Sequence, residues 1–169
     1  MFFIDLDNFQ ALNDTLGHGV GDLLLQIVGS RFSGSVRKVD TVSRFGGDEF
    51  VVILDNLHID RLEEEELAKA ISNKILASFT LSFKLANHEH YITPSIGVTL
   101  FGEDVANADG VLKRADLAMY QAKSSGKNMV RFLILKCKRS LLLGLRWRKT
   151  YVRRFKIMSS YFTINLKLI

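Results

Sequence analysis

The feature that most constrains the fold is a pair of β-prone runs within residues 42–54 that meet at two adjacent glycines, Gly46 and Gly47. A tight hairpin accepts such a pair because its central residues need positive φ. Two acids, Asp48 and Glu49, follow at once. Asp is poorly suited to strands, and adjacent like charges repel. Since folding does not need acids at this turn, we expect a cationic group to bind there.

The first apolar run of the chain also ends in acids. Residues 2–7 predict a buried strand, in which Asp5 and Asp7 share one face with Phe3. In open α/β layers, ligands bind at the carboxyl end of such a strand. Two carboxylates about 4 Å apart repel by roughly 4 kcal/mol at an effective dielectric of 20. If Asp5 converges with the two hairpin acids, the three carboxylates require a divalent cation such as Mg²⁺.

The remaining periodicity predicts an α+β fold with a ferredoxin-like central antiparallel sheet of βαββαβ type and helices packed on it. In the first half of the chain, a loop that holds Asn13, Gly17 and His18 precedes a helix from about residue 21, the hairpin at 42–54 and a helix capped by Asp60. In the second half, a strand at 79–85, a turn at 87–90 and a partner strand at 91–100 form a hairpin. A helix at 107–124 and a closing strand at 128–133 complete the domain. Pro94 predicts an edge or irregular position for its strand.

Composition places these elements in one globular domain, since 47% of the 169 residues are hydrophobic. No apolar run reaches 18 residues, and Asp5 and Asp7 interrupt the only apolar N-terminal run, which argues against a membrane span and a signal peptide. The single cysteine, Cys137, forms no internal disulfide. These features predict a cytoplasmic location.

The net charge of +5 conceals two regions of opposite sign. Residues 1–132 hold all 18 acids and carry a net charge of −5, whereas residues 133–169 hold 10 basic residues and no acid. The basic character belongs to the tail, so no specific nucleic-acid binding is expected of the domain.

Several segments, taken together, resemble the GGDEF family of bacterial signalling domains, the diguanylate cyclases. The resemblance covers about residues 2–132 and implies a palm-like fold that condenses two GTP into cyclic di-GMP. The matching segments are Asp5-Leu6-Asp7-Asn8-Phe9, Asn13-Asp14, Gly17-His18, Gly21-Asp22, Arg44 to Phe50, Ser95 to Val98, Ala115-Asp116, Met119-Tyr120, Ala122-Lys123 and Gly126-Lys127-Asn128.

The resemblance implies a metal site and a proton acceptor. It assigns Mg²⁺, or Mn²⁺ in its place, to Asp5, the backbone carbonyl of Leu6 and Asp48, with Glu49 assisting. Asp48 matches the residue proposed to accept the hydroxyl proton, although a metal-bound carboxylate is a weak base.

The resemblance also implies a GTP site. Asn13 and Asp22 match the guanine readers, and an amide and a carboxylate complement the edge of guanine but not that of adenine. In isolation both fit turn and cap residues. The other matching substrate contacts are Asn8 and Phe9 with their phosphate-binding backbone, His18, and the phosphate clamp of Lys123 and Lys127, which also suit a helix C-terminus.

Arg37 and Asp40 form an R-x-x-D pattern that matches the family's inhibitory site for cyclic di-GMP. An Arg fork can bind a phosphate or the guanine edge. The alternative is a surface ion pair that contributes about 0–1 kcal/mol.

Three departures from the family affect the expected function. The domain at 1–132 lacks the first helix, about forty residues of the family pattern, and no dimerising domain precedes it, although turnover needs two GTP-loaded copies as a homodimer. Gln10 and Lys127 replace the usual Lys and Arg, which weakens the phosphate clamp. The alternatives are a catalytically inactive nucleotide-binding module and a truncated remnant.

The tail at 133–169 has no counterpart in the family. Its basic and aromatic sequence suits peripheral contact with an anionic membrane or a nucleic acid. It also suits packing in place of the missing helix, and it resembles the product of a reading-frame change.

Overall fold

The computed structural model describes residues 1–55, 60–85, 88–101 and 108–133. Residues 134–169, and with them nearly all of the predicted tail, lie outside this part. The described elements are β1 (Phe2–Leu6), α1 (Phe9–Leu16), α2 (His18–Ser35), β2 (Thr41–Gly46), β3 (Glu49–Ile53), α3 (Arg61–Ser78), β4 (Phe83–Leu85), β5 (His88–His90), β6 (Pro94–Val98), α4 (Ala108–Ser124) and β7 (Val130–Phe132).

Five strands form the main sheet in the order β2-β3-β1-β6-β7. Strand β1 is central and runs antiparallel to both β3 and β6, while β6 and β7 are parallel. The predicted α+β fold with helices on a central sheet is confirmed, and the parallel β7 makes the sheet mixed. Strands β4 and β5 form a separate two-stranded sheet.

The two faces of β1 pack into different cores because successive side chains of a strand point to opposite faces. Phe2, Ile4 and Leu6 join the large core that includes residues of α2 and α3. Phe3 joins a smaller core with residues of α4. Burial of each such side chain stabilises the fold by roughly 1.5–3 kcal/mol. Asp5 shares the face of Phe3 and therefore lies on the α4 side of the sheet.

The predicted loop before residue 21 is wrong, because helix α1 fills it and α2 begins at His18. Only Gly17, with φ of 85°, separates the two helices. Glycine adopts this backbone conformation at little steric cost. Asn13 therefore lies within a helix, and its neighbours on α2 are fixed by helix packing.

The hairpin predicted at residues 79–100 is also wrong in its pairing. Phe79 follows α3, and its ring packs 5.5 Å from Phe32 and 5.4 Å from Phe83. The strand thus begins only at Phe83 and pairs with residues 88–90, which were predicted as a turn. Pro94 is the first residue of β6, where it faces Leu6 in the interior of the main sheet. A first position tolerates proline without an edge strand.

None of the helices in the described part of the chain has the length and apolar character needed to cross a membrane.

Candidate active site at the ends of β1 and β3

The β2–β3 turn lies one residue later than the glycine pair suggests. The two turn residues are Gly47, with φ of 48°, and Asp48, while Gly46 belongs to β2 beside an irregularity in pairing. Arg44 Nε donates a hydrogen bond to the Gly47 carbonyl at 2.9 Å, which holds the turn. The turn therefore presents Asp48 at its tip and leaves Glu49 as the first residue of β3.

Strand pairing brings acids from two strands together. Asp5 of β1 stands directly opposite Glu49 of β3. The Leu6 N–H donates to the carbonyl of Asp48 at 3.3 Å, which fixes the turn against the end of β1. Residues directly opposite in an antiparallel pair lie about 4.5–5.5 Å apart. We refer to Asp5, Asp48 and Glu49 as the acidic edge.

The acidic edge carries the signature of unfavourable charge. Burial raises the pKa of Asp5, and the charges of Asp48 and Asp7 raise it further against the opposing effect of Lys123. Burial also raises the pKa of Glu49, together with the charge of Asp5 and weaker repulsion from other acids. Positive charge placed beside them therefore stabilises the ionised forms of Asp5 and Glu49.

Helix α4 supplies part of that charge. Lys123 Nζ lies 2.7 Å from Asp5 Oδ1; the Asp5 side chain is buried, whereas the Lys123 side chain is partly exposed. The ion pair crosses from α4 to the central strand, so Lys123 brings its positive charge to the acidic edge. One ammonium balances one of three carboxylates.

The donor set of the acidic edge fits a divalent cation. Within the described residues, no three Asp, Glu, His or Cys side chains converge closely enough to form a finished metal site. Carboxylate and carbonyl oxygens are nonetheless the ligands that Mg²⁺ prefers. The raised pKa values of Asp5 and Glu49 reflect burial first and repulsion between acids second, and a bound cation offsets both effects. The residues therefore suit Mg²⁺ in chemistry and charge.

The loop after β1 meets the turn after α4. Asn8 precedes α1 with φ of 62°, and Phe9 is the first residue of that helix. Lys127 Nζ donates to Asn8 Oδ1 at 2.7 Å. The amides of a first helical turn have no partner inside the helix. The start of α1 thus combines backbone donors with an exposed ammonium, which suits an anion.

The guanine readers suggested by sequence lie on adjoining helices. Asn13 Oδ1 on α1 is buried and accepts no hydrogen bond within the described residues. A Cβ on Gly21 of α2 would overlap the Asn13 carboxamide, so glycine makes this packing possible. Asp22 and His18 are exposed on α2. The Asn13 oxygen therefore needs a donor, which an amino group of a base can provide.

Arg37 and Asp40 are joined directly in the loop between α2 and β2, which we call the RxxD loop. The Arg37 guanidinium donates to both carboxylate oxygens of Asp40, at 3.2 Å through Nε and 3.0 Å through Nη2. Backbone N–H groups of Arg37 and Asp55 add bonds of 2.8 and 3.1 Å. Although burial alone raises the pKa of Asp40, these hydrogen bonds lower it below its usual value.

Two acids near the site were not expected from sequence to have these roles. Asp116 of α4 contributes to the raised pKa of Glu49. Asp7 is buried and bonded to Thr93, Ser95 and the backbone of Asn128. The hydrogen-bond partners of Asp7 are distant in sequence, so no local pattern could reveal them. The one local signal of a role for Asp7 was that it shares a strand face with Asp5.

Comparison with known proteins identifies the family. Residues 1–129 match the family described as "Diguanylate cyclase, GGDEF domain". Diguanylate cyclase A of Treponema denticola is 35% identical over 132 residues, which cover 77% of this chain and 34% of that protein. The chain spans 34% of that protein and only 11% of a second relative, the probable diguanylate cyclase DgcE of Escherichia coli.

Two solved structures show the same fold. The GGDEF domain of YfiN (TpbB) from Pseudomonas aeruginosa superposes with a TM-score of 0.72 at 34% identity, covering 80% of this chain and 81% of that chain. The GGDEF domain of DgcB from Caulobacter crescentus, in complex with c-di-GMP, gives a TM-score of 0.65 at 26% identity, with 78% and 75% covered. The chain therefore belongs to the GGDEF family of diguanylate cyclase domains.

Proposed function

We propose that the chain acts as a diguanylate cyclase that condenses two GTP into one cyclic di-GMP and two pyrophosphates. Each 3′-oxygen forms a bond to the α-phosphorus of the other nucleotide, and the bond from that phosphorus to pyrophosphate breaks. The observation that carries this proposal is the pairing of β1 with β3, which sets Asp5 opposite Glu49 beside Asp48. The family membership supports the same reaction.

The acidic edge holds Mg²⁺ in this proposal. Asp5, Asp48 and the Leu6 carbonyl are its ligands, with Glu49 assisting, and Mn²⁺ can replace it. When bound, the ion neutralises phosphate charge and polarises the phosphoryl group. Glu49 and Asp48 are the candidates to accept the 3′-hydroxyl proton. The raised pKa of Glu49 favours it, because base strength rises with pKa.

The remaining residues orient the substrate. Asn13 and Asp22 read guanine, and the unpartnered Asn13 oxygen supports this role. The backbone of Asn8 and Phe9, with Lys127, binds the phosphates at the start of α1. Lys123 also contacts the triphosphate, and His18 contacts the substrate. Correct orientation lowers the entropic part of the barrier for joining two nucleotides.

Each copy of the chain binds one GTP, so the reaction requires two copies face to face. Incubation of the purified chain with GTP and Mg²⁺, followed by separation of the products, tests the proposal. We expect cyclic di-GMP and pyrophosphate in a ratio of one to two, with a rate that rises more steeply than linearly with protein concentration. Absence of cyclic di-GMP at high protein concentration contradicts it.

The RxxD loop supports a second role, which is binding of cyclic di-GMP as product inhibitor or as the sole function. Arg37 Nη1 donates no hydrogen bond within the described residues, and the side chain is 52% exposed. Its guanidinium is therefore held in place with donors left for a phosphate or guanine. Cyclic di-GMP binding that survives Asp48→Ala and is lost in Arg37→Ala, without any turnover, selects the pure binding module over the cyclase.

A further inference from the structure

Asp7 is a buried carboxylate that the proposed reaction does not use. Its side chain accepts hydrogen bonds from Thr93 Oγ1 at 2.7 Å, Ser95 Oγ at 2.7 Å and the Asn128 N–H at 3.0 Å. Its own N–H donates to the Thr93 carbonyl at 2.8 Å. Only 3% of the residue is exposed. Removal of a buried acceptor is costly because it leaves its donors without a partner.

These bonds join three segments that are far apart in sequence. Asp7 follows β1, Thr93 and Ser95 stand at the entry to β6, and Asn128 lies in the turn between α4 and β7. The Asp7 carboxylate therefore links the end of the central strand to the start of β6 and to the α4–β7 turn.

The α4–β7 turn needs such a fixed point. Lys127 and Asn128 both adopt left-handed backbone conformations, with φ of 64° and 47°. Each such residue costs on the order of 1 kcal/mol or more and persists only when its surroundings hold it. The bond from the Asn128 N–H to Asp7 provides part of that hold.

The same turn carries a basic side chain to the start of α1. Lys127 Nζ reaches Asn8 Oδ1 at 2.7 Å, so the adjacent residues 7 and 8 bind the adjacent residues 128 and 127. Loss of the Asp7 bonds releases one half of this double attachment. The ammonium of Lys127 then loses its fixed place relative to the amides of α1.

We propose that Asp7 is a positioning residue that holds Lys127 against the start of α1 and thereby sets the affinity for the triphosphate of GTP. The inference rests on the proposed GTP site. Asp7 acts through Lys127 and touches neither the metal nor the substrate. Its role therefore depends on hydrogen-bond acceptance rather than on charge toward the ion.

The test compares two ligands and two variants. The ligands are α,β-methylene-GTP, whose pyrophosphate cannot leave, and guanosine, which lacks phosphates. We expect Asp7→Ala to weaken α,β-methylene-GTP binding about 10-fold, the order of one hydrogen bond to a charged group, and to leave guanosine binding unchanged. Asp7→Asn restores most of the affinity, because its amide oxygen can accept from Thr93 and Asn128 while its NH₂ donates to the Ser95 hydroxyl.

Coupling to Lys127 separates positioning from general stability. In a Lys127→Met background, Asp7→Ala should cause no further loss of α,β-methylene-GTP affinity. The surface control Asp109→Asn should cause no loss in the wild-type or the Lys127→Met background. If Asp7→Ala does not fold, Thr93→Val removes one of the three bonds and should give a smaller loss that is again confined to the phosphorylated ligand.

The inference is overturned if Asp7→Ala weakens the binding of both ligands equally. It is also overturned if Asp7→Asn binds α,β-methylene-GTP as weakly as Asp7→Ala does, or if the losses of affinity in Asp7→Ala and Lys127→Met are fully additive. Unchanged binding in Asp7→Ala also overturns it while leaving the proposed function intact. A wild-type chain that binds neither ligand rejects the proposed GTP site, and with it the inference.

Discussion

The acidic edge and the RxxD loop are both built from carboxylates, yet their electrostatics are opposite. Asp40 is fully shielded and receives hydrogen bonds from the Arg37 side chain and two backbone N–H groups, which lower its pKa. Asp5 and Glu49 stand opposite each other, and in the described part of the chain Lys123 is the one cation paired within the three acids of the acidic edge. Burial raises the pKa of both Asp5 and Glu49. One region is a complete ion pair, whereas the other keeps unbalanced negative charge that a further cation would offset.

The two regions lie at opposite ends of β2, because the RxxD loop precedes Thr41 and the turn follows Gly46. Six residues of extended strand span about 20 Å. Substitutions this far apart usually have additive effects. Each region can therefore be altered without disturbing the other, which gives the comparison its experimental use.

The largest expected effect is on catalysis at the acidic edge. Asp48→Ala should reduce cyclic di-GMP formation by about 10²–10³-fold, the scale of losing one electrostatic contact to a transition state. The free energy of unfolding should stay equal or rise, because a repelling charge is removed. Product assays and urea unfolding measure the two quantities, with Asp109→Asn as the control. Wild-type turnover in Asp48→Ala contradicts the assignment.

The next effect concerns the RxxD loop. Arg37→Ala should weaken cyclic di-GMP binding about 10–100-fold, which corresponds to charge-assisted bonds of roughly 1.5–3 kcal/mol. It should also lower the free energy of unfolding by about 1–2 kcal/mol, because Asp40 loses its side-chain donors. Initial turnover should not change. Calorimetry and urea unfolding test this, and Lys38→Ala, an exposed neighbour, should change neither quantity.

The pH dependence of stability should differ in sign between the regions. The lowered pKa of Asp40 stabilises the fold above the unfolded pKa, and this stabilisation is lost as pH falls through the folded value. The raised pKa of Glu49 means that its ionisation opposes folding as pH rises. At pH 7 we therefore expect Asp40→Asn to destabilise and Glu49→Gln to stabilise the metal-free chain.

Both differences should shrink below about pH 4, where carboxyl groups protonate in the unfolded chain. Urea unfolding at pH 7 and at pH 3.5 measures them. If Asp40→Asn and Glu49→Gln change the free energy of unfolding in the same direction, the distinction between a complete and an incomplete charge cluster is wrong.

The smallest effect concerns the lysine that partly neutralises the acidic edge. Lys123→Met should tighten Mn²⁺ binding without nucleotide by up to about 5-fold, the equivalent of a partly exposed ion pair. It should weaken α,β-methylene-GTP binding, since the phosphate contact is lost. Electron paramagnetic resonance of free Mn²⁺ measures the first change, and Lys113→Met on the exposed side of α4 is the control.

The acidic edge was predictable because its information is local. A hairpin register follows from its turn and its hydrophobic pattern, so the placement of Asp48 and Glu49 could be inferred from residues 42–54. The position of Asp5 could be predicted because the strand around it is a continuous apolar run. The one-residue shift of the turn altered neither conclusion.

Other features depended on tertiary contacts that no local pattern reveals. Helix α1 was missed because Asn13 and Gly17 are typical turn residues and an eight-residue helix has little periodicity. Phe79 alternates with later apolar residues, yet it packs between rings of α2 and β4. The partners of Asp7 lie between 86 and 121 residues away. Such contacts are set by the topology of the sheet.

The most direct test of the central claim is to locate the ion itself. Crystals grown with Mn²⁺ and α,β-methylene-GTP allow an anomalous difference map at the manganese edge. We expect one peak within coordination distance of the carboxylates of Asp5 and Asp48, next to the triphosphate. A nucleotide bound with no manganese at these two side chains would contradict the claim that acids from β1 and the adjoining turn hold the ion that binds GTP.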